Sequence, residues 1–211
     1  MGCCLSNPEK RDDKIVGKEL KADKTSDQNI KKLLFLGSGG SGKSTLFKQL
    51  RTIHGEGFLD KDRMGFKDHI YSQVIDQMKS LVECMEDLIE DEPDIFGDLK
   101  LTKRGNESAK FIDYLRNDAD VDDSVADEVE ILWNEESIQR VFEQRARLKI
   151  DDSSKYFFEN VRRIATRSYI PTDKDILMVR HRTTGVIDQK FTVQETNFHI
   201  FDVGGQRSER K

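Results

Sequence analysis

The sequence predicts an α/β unit interrupted by an all-helical insert, and three observations carry that expectation. A glycine-rich loop, Gly37-Ser-Gly-Gly-Ser-Gly-Lys-Ser44, sits between the short apolar run of residues 33–36 and a helical pattern marked by Leu46, Leu50 and Ile53. A long stretch from residue 59 to 170 then holds apolar residues at 3.6-residue spacing. Finally, two alternating apolar runs return the pattern to strands and end on Asp202-Val203-Gly204-Gly205-Gln206.

In chain order, the first element is an arm, residues 1–29. Its opening Met-Gly-Cys-Cys-Leu-Ser fits N-myristoylation, with Gly2 at the new N-terminus and Ser6 at the right spacing. One myristoyl chain binds membrane only marginally, and Cys3 and Cys4 are placed to add S-palmitoyl groups. Residues 8–28 are densely charged, with a thin stripe of Ile15, Val16 and Leu20. They read either as a disordered arm or as a helix that orders against a partner.

Residues 30–58 read as strand, loop and helix. Gly37, four residues, then Gly42-Lys43-Ser44 is the phosphate-loop spacing. Glycines tolerate positive φ and let amides approach an anion, and the helix beginning near Lys43 adds its own N-terminal amides and dipole. Lys43 is then expected to reach the β- and γ-phosphates, and the Ser44 hydroxyl to hold Mg²⁺.

The insert opens with one long helix over residues 61–90, carrying Ile70, Val74, Met78, Leu81, Val82, Met85, Leu88 and Ile89 on one stripe and stopped by Pro93. Shorter helices are expected over 107–116, 125–133, 137–148 and 153–167, separated by Asp/Asn clusters. Phe111, Leu115, Leu132, Trp133, Val141, Phe142, Phe157, Phe158 and Val161 are expected to form a helix-bundle core. Residues 171–211 then give a hairpin, with Val186, Phe191 and Val193 on one strand and Phe198, Ile200 and Phe201 on the other.

Composition narrows the function classes. Charged residues make up 36% of the 211 and the net charge is −5, which argues against a nucleic-acid partner. No window approaches the roughly 20 apolar residues of a spanning helix. The N-terminus turns polar too soon for a secretory signal, and three cysteines, two adjacent, make no disulfide framework; an intracellular setting is expected.

The residues that follow the insert select among phosphate-loop chemistries. Asp202 is placed to hold a Mg²⁺-bound water, a glycine amide after it to meet a γ-phosphate, and Gln206 to orient an attacking water. Upstream, Arg180 can stabilise phosphoryl charge and Thr183 can complete a Mg²⁺ shell. Taken singly, Arg180 also reads as a solvated charge and Gly204-Gly205 as a turn.

Jointly, the Met-Gly-Cys start, the loop, Leu132-Trp133, Ser153-Ser-Lys-Tyr-Phe-Phe158, Tyr169-Ile-Pro-Thr172, Arg180 to Gly185 and Asp202 to Arg210 resemble the α subunits of heterotrimeric G proteins over essentially the whole chain. The resemblance implies a Ras-like P-loop GTPase domain with a helical insert acting as a lid, and GTP or GDP with Mg²⁺ as ligands. It implies that Gly40, Ser41, Gly42, Lys43, Ser44 and Thr45 wrap the phosphates and that Ser44 and Thr183 ligate Mg²⁺. Arg180 would be an arginine finger supplied in cis, Gln206 would position the water and Gly205 would sense the γ-phosphate. Asp152 and Ser153 would face the nucleotide and Leu177 its ribose. The segments around Thr183 and Gln206 would switch on hydrolysis. Implied partners are a βγ dimer docking on the arm through Val16 and Leu20, a seven-helix receptor, an effector, and the cytoplasmic face of the plasma membrane.

Two departures from the family pattern stand out. Gly40 replaces a glutamate in the loop, so no ion pair can run from that position to Arg180, which is expected to be freer in the GDP state, with altered GDP release and subunit affinity; Met178 stands where arginine is common. The family's guanine-reading Asn-Lys-x-Asp segment is not among these 211 residues, so they are expected to be the N-terminal portion of a longer chain that does not fold stably alone. By themselves they specify a nucleoside triphosphate with Mg²⁺, not guanine. An ATP-using kinase or ATPase, and a non-catalytic membrane-anchored binding module, remain the alternatives.

Overall fold

The computed structural model describes residues 30–181 and 185–203. Gly2, Cys3, Cys4, Thr183, Gly205 and Gln206 lie outside them. The chain divides into two compact units, one containing the described residues 30–57 and 185–203, the other residues 58–181.

The first unit is a three-stranded sheet with one helix. Strand β1 (Ile30–Phe35) runs parallel to β3 (Thr196–Val203), and β2 (Val186–Val193) pairs antiparallel on the far side of β3, giving the order β1-β3-β2. In this register Phe35 lies opposite Asp202, so the end of β1 that leads into the glycine loop sits beside that carboxylate. Helix α1 (Lys43–His54) covers one face, where Phe47, Phe191 and Ile200 form a small core with Phe35, Leu50 and Phe198 against it. The apolar run of β1 is largely uncovered: Leu34 is 53% exposed and Leu33 and Leu36 are also open. Among the described residues β1 pairs on one side only, and no layer covers these side chains.

The hairpin turns through Gln194 and Glu195, both at positive φ (46° and 65°). Two left-handed residues make the type I′ turn that matches strand twist, normally supplied by Asn-Gly. Glu195 therefore carries strain that glycine would not. Glu195→Gly is expected to raise the stability of this sheet by about 0.5–1 kcal/mol, read as slower amide exchange in Val193 and Thr196; unchanged protection would mean that the turn is not strained.

The second unit is all helical. Its elements are α2 (Asp60–Met64), α3 (Lys67–Asp91), α4 (Pro93–Phe96), α5 (Lys103–Tyr114), α6 (Asp123–Trp133), α7 (Glu136–Glu143), α8 (Arg145–Leu148), α9 (Ser154–Glu159), α10 (Val161–Ile164) and α11 (Asp173–Met178). The core is built on α3, whose Ile70, Val74, Met78 and Leu81 are fully buried as the periodicity requires. Trp133 packs edge-on to Phe142 at 5.1 Å and tilted on Phe158 at 5.0 Å. Phe111 is not in the core; Ile112 takes the inward position on α5.

Several expected helices are divided, each for a local reason. The stretch 61–90 breaks at Gly65 and Phe66, whose amides reach Asp62 O and Arg63 O in i→i−3 bonds. There Arg63 donates to Phe58 O and Pro171 O and pairs with Asp173 at 2.6 Å. Between α9 and α10 the Asn160 amide side chain donates to Tyr156 O at 2.8 Å, offering that carbonyl an alternative partner. Helix α11 lies where the sequence reading moved directly to strands. A capping box starts it: Thr172 Oγ1 accepts from the Asp175 amide, and Asp175 accepts from the Thr172 amide. The helical unit thus runs on to His181 and takes in α11 and Arg180.

No helix among the described residues is long and apolar enough to cross a membrane.

Candidate functional site

The loop before α1 has the backbone that its glycines permit. Gly40 and Gly42 sit at φ 79° and 83°, and a β-carbon on Gly37 would meet Ser41 Oγ at 2.7 Å. Gly42 is the N-cap of α1, with no side-chain cap and no acidic residue in the first turn. The first-turn amides lie outside the i→i−4 ladder, which begins with Leu46 N to Gly42 O at 2.9 Å. A helix end so prepared suits an anion.

Lys43 folds over this loop. Its Nζ donates to Gly37 O at 3.0 Å and Ser38 O at 2.8 Å, which holds the ammonium against the loop backbone. Ser44 points the other way, its Oγ donating to Asp202 Oδ2 at 2.7 Å. That bond joins residues 158 apart in sequence: the expected Mg²⁺ ligand Ser44 and the carboxylate expected to hold a Mg²⁺-bound water. Asp202 is buried at the end of β3. One turn along α1 lies Lys48, also buried; desolvation pulls its ammonium down to about 8, with the Asp202 carboxylate opposing that shift. Thr45, on the same helix, is exposed.

Among the described residues no group of three or more His, Cys, Asp or Glu could cage a metal. Mg²⁺ does not need such a cage, since it takes one or two protein oxygens and fills its shell with water and substrate phosphates. A serine hydroxyl beside a carboxylate is a hard-oxygen pair of that kind, so the residues fit the ion.

The remaining described candidates lie in the helical unit. Gln73 of α3 donates through Nε2 to Ser153 Oγ at 2.9 Å and accepts from the Arg180 amide through Oε1 at 2.8 Å. Ser153 and Arg180 are thereby tied to one buried side chain that the sequence reading did not single out. The Arg180 guanidinium pairs through Nη1 with Asp151 Oδ1 at 2.7 Å. Asp152 is 88% exposed and pairs with Arg145 at 2.6 Å. Leu177, on α11, is half-buried.

A left-handed glycine loop opening a helix, with a lysine over it and a hydroxyl–carboxylate pair beside it, defines a phosphate-binding class of site. Comparison with known proteins is narrower. Residues 10–211 match the family described as G-protein alpha subunit. The whole chain aligns at 36% identity over 219 positions with a guanine nucleotide-binding protein subunit alpha of Emericella nidulans, of which it spans 59%. The chain belongs to the G-protein alpha subunit family.

Proposed function

We propose that this chain supplies the phosphate- and magnesium-binding part of a GTP-hydrolysing switch, the α subunit of a heterotrimeric G protein. The observation that carries the reading is the Ser44–Asp202 bond beside the Lys43-capped loop, because it assembles, from distant parts of the sequence, the oxygen pair that a nucleotide-bound Mg²⁺ uses. Lys43 and the amides of residues 40–45 bind and orient the phosphates. Ser44 and Thr183 hold Mg²⁺, which when bound neutralises charge on the β- and γ-oxygens, and Asp202 fixes its water shell. Arg180 meets the charge that spreads over the γ-phosphoryl group, and Gln206 orients the attacking water. Asp152, Ser153 and Leu177 belong to the nucleotide-facing side of the helical unit, and Gly205 reports the γ-phosphate. Residues 1–29, acylated at Gly2, Cys3 and Cys4, anchor the protein to the inner membrane surface and dock on a βγ dimer, from which receptor and effector coupling follow.

The test is competition in the full-length protein. Unlabelled GTP is expected to displace a fluorescent guanine nucleotide in the presence of Mg²⁺, and ATP in large excess is expected not to. Equal displacement by the two would assign the site to an ATP-using enzyme, and no nucleotide binding would leave a non-catalytic binding module.

A further inference from the structure

Arg180 is held twice inside the helical unit. Its amide is fixed by Gln73 at 2.8 Å and its guanidinium by Asp151 at 2.7 Å. Asp151 is itself held, since its amide donates to Gln77 Oε1 at 2.8 Å, and the same oxygen accepts from Ser154 Oγ at 3.0 Å. Gln73 and Gln77 lie one turn apart on α3, between side chains that are fully buried. The side chains of Asp151 and Arg180 are 22% and 65% exposed, so the carboxylate is the anchored partner and the arginine head the accessible one.

We propose that Asp151 is a positioning residue for Arg180: it supplies, from within the helical unit, the counter-charge that holds the guanidinium in one orientation before an anionic phosphoryl group binds. The proposal rests on the reading of Arg180 as an arginine that acts on a nucleoside triphosphate. The pair engages one of the five N–H donors of the guanidinium, which leaves the rest of the fork for a second anion. A long, exposed arginine samples many rotamers, and a fixed carboxylate removes that freedom before the substrate arrives.

The test uses the full-length protein and the variants Asp151→Asn and Asp151→Glu, with three readouts: single-turnover GTP hydrolysis, GTP affinity, and the NMR signal of the Arg180 side-chain Nε–H. Asp151→Asn keeps the shape and removes the charge. It is expected to slow hydrolysis about three- to five-fold, the worth of a partly exposed ion pair. GTP affinity and the melting temperature should be unchanged, while the Arg180 Nε–H exchanges faster with water. Asp151→Glu is expected to restore both rate and signal. In an Arg180→Ala background, Asp151→Asn should add no further loss, because its effect passes through the arginine. Wild-type hydrolysis by Asp151→Asn would overturn the proposal alone, and faster hydrolysis would make Asp151 a brake instead. A wild-type protein that neither binds nor hydrolyses GTP would overturn the GTPase reading and the proposal with it.

Discussion

Replacing Asp175 by alanine is expected to destabilise the helical unit by about 3–5 kcal/mol, because among the described residues it strips the network of its one carboxylate. Asp175 is fully buried on α11. Arg163 grips it with both terminal nitrogens, at 2.9 and 2.7 Å. Tyr156 and Tyr169 donate their hydroxyls at 2.7 and 3.1 Å, and the Thr172 amide donates at 2.8 Å. The carboxylate therefore ties α9, α10, the 165–172 connection and the start of α11 to one point. Removing it leaves two buried or half-buried phenols and a guanidinium without their acceptor, the costly direction in which to break a charged network. Asp175→Asn should lose less, since it keeps the shape and one acceptor. Thermal unfolding of the full-length protein, followed by circular dichroism, measures both; a melting temperature within a degree of wild type for the alanine variant would show that the network carries no net stability.

The same carboxylate gives the unit a dependence on acid. Burial by itself would push its pKa up, but the Arg163 fork, the Thr172 amide and the Tyr156 hydroxyl more than reverse that and bring it down to about 2. The folded value lies below the unfolded one, so the stabilisation is complete above about pH 4 and is lost as pH falls toward 2. In the opposite direction, burial and the neighbouring Asp175 push the Tyr169 hydroxyl well above the usual phenol range, so it stays a donor through any working pH.

The sites differ in how far the sequence announced them. The phosphate loop was legible because its chemistry is local: glycines at 40 and 42 are needed for the left-handed backbone, and lysine and serine follow at fixed spacing. Asp202 was legible as a candidate site residue through the strand and the Gly-Gly-Gln that frame it. Gln73 and Gln77 were not, since a glutamine on an amphipathic helix carries no motif and its partners, residues 151–154 and 180, lie far along the chain. The choice between adjacent aspartates was equally beyond a one-dimensional reading. Asp151 turns to Arg180 while Asp152 turns outward to Arg145, a matter of loop geometry alone. Helix α11 is a different case, because Thr172-Asp-Lys-Asp175 does carry the capping-box spacing and was masked by the apolar run that follows it. The helix breaks at Gly65 and Asn160 come with local backbone and side-chain hydrogen bonds that periodicity does not register.

Two substitutions in the loop are expected to separate charge from metal. Lys43→Ala removes the ammonium that the carbonyls of Gly37 and Ser38 hold over the loop. Charge-assisted contacts of this kind carry enough energy that GTP affinity should fall about 10- to 100-fold, with or without Mg²⁺. Ser44→Ala leaves the loop and the lysine in place and removes the hydroxyl beside Asp202. Its loss should therefore be confined to the metal-dependent part of binding. In EDTA the variant should match wild type, and adding Mg²⁺ should tighten wild type but not the variant. Titrating GTP against wild type and both variants, in EDTA and in Mg²⁺, gives the six affinities that decide it. If Ser44→Ala weakened binding equally in both conditions, the hydroxyl would be acting on the phosphates or on the loop's shape, and the Ser44–Asp202 pair would no longer support a magnesium site. If Lys43→Ala lost affinity only in Mg²⁺, the lysine would be supporting the ion rather than the phosphates. The loop then holds an anion by its amides alone, with the two side chains both in service of the metal.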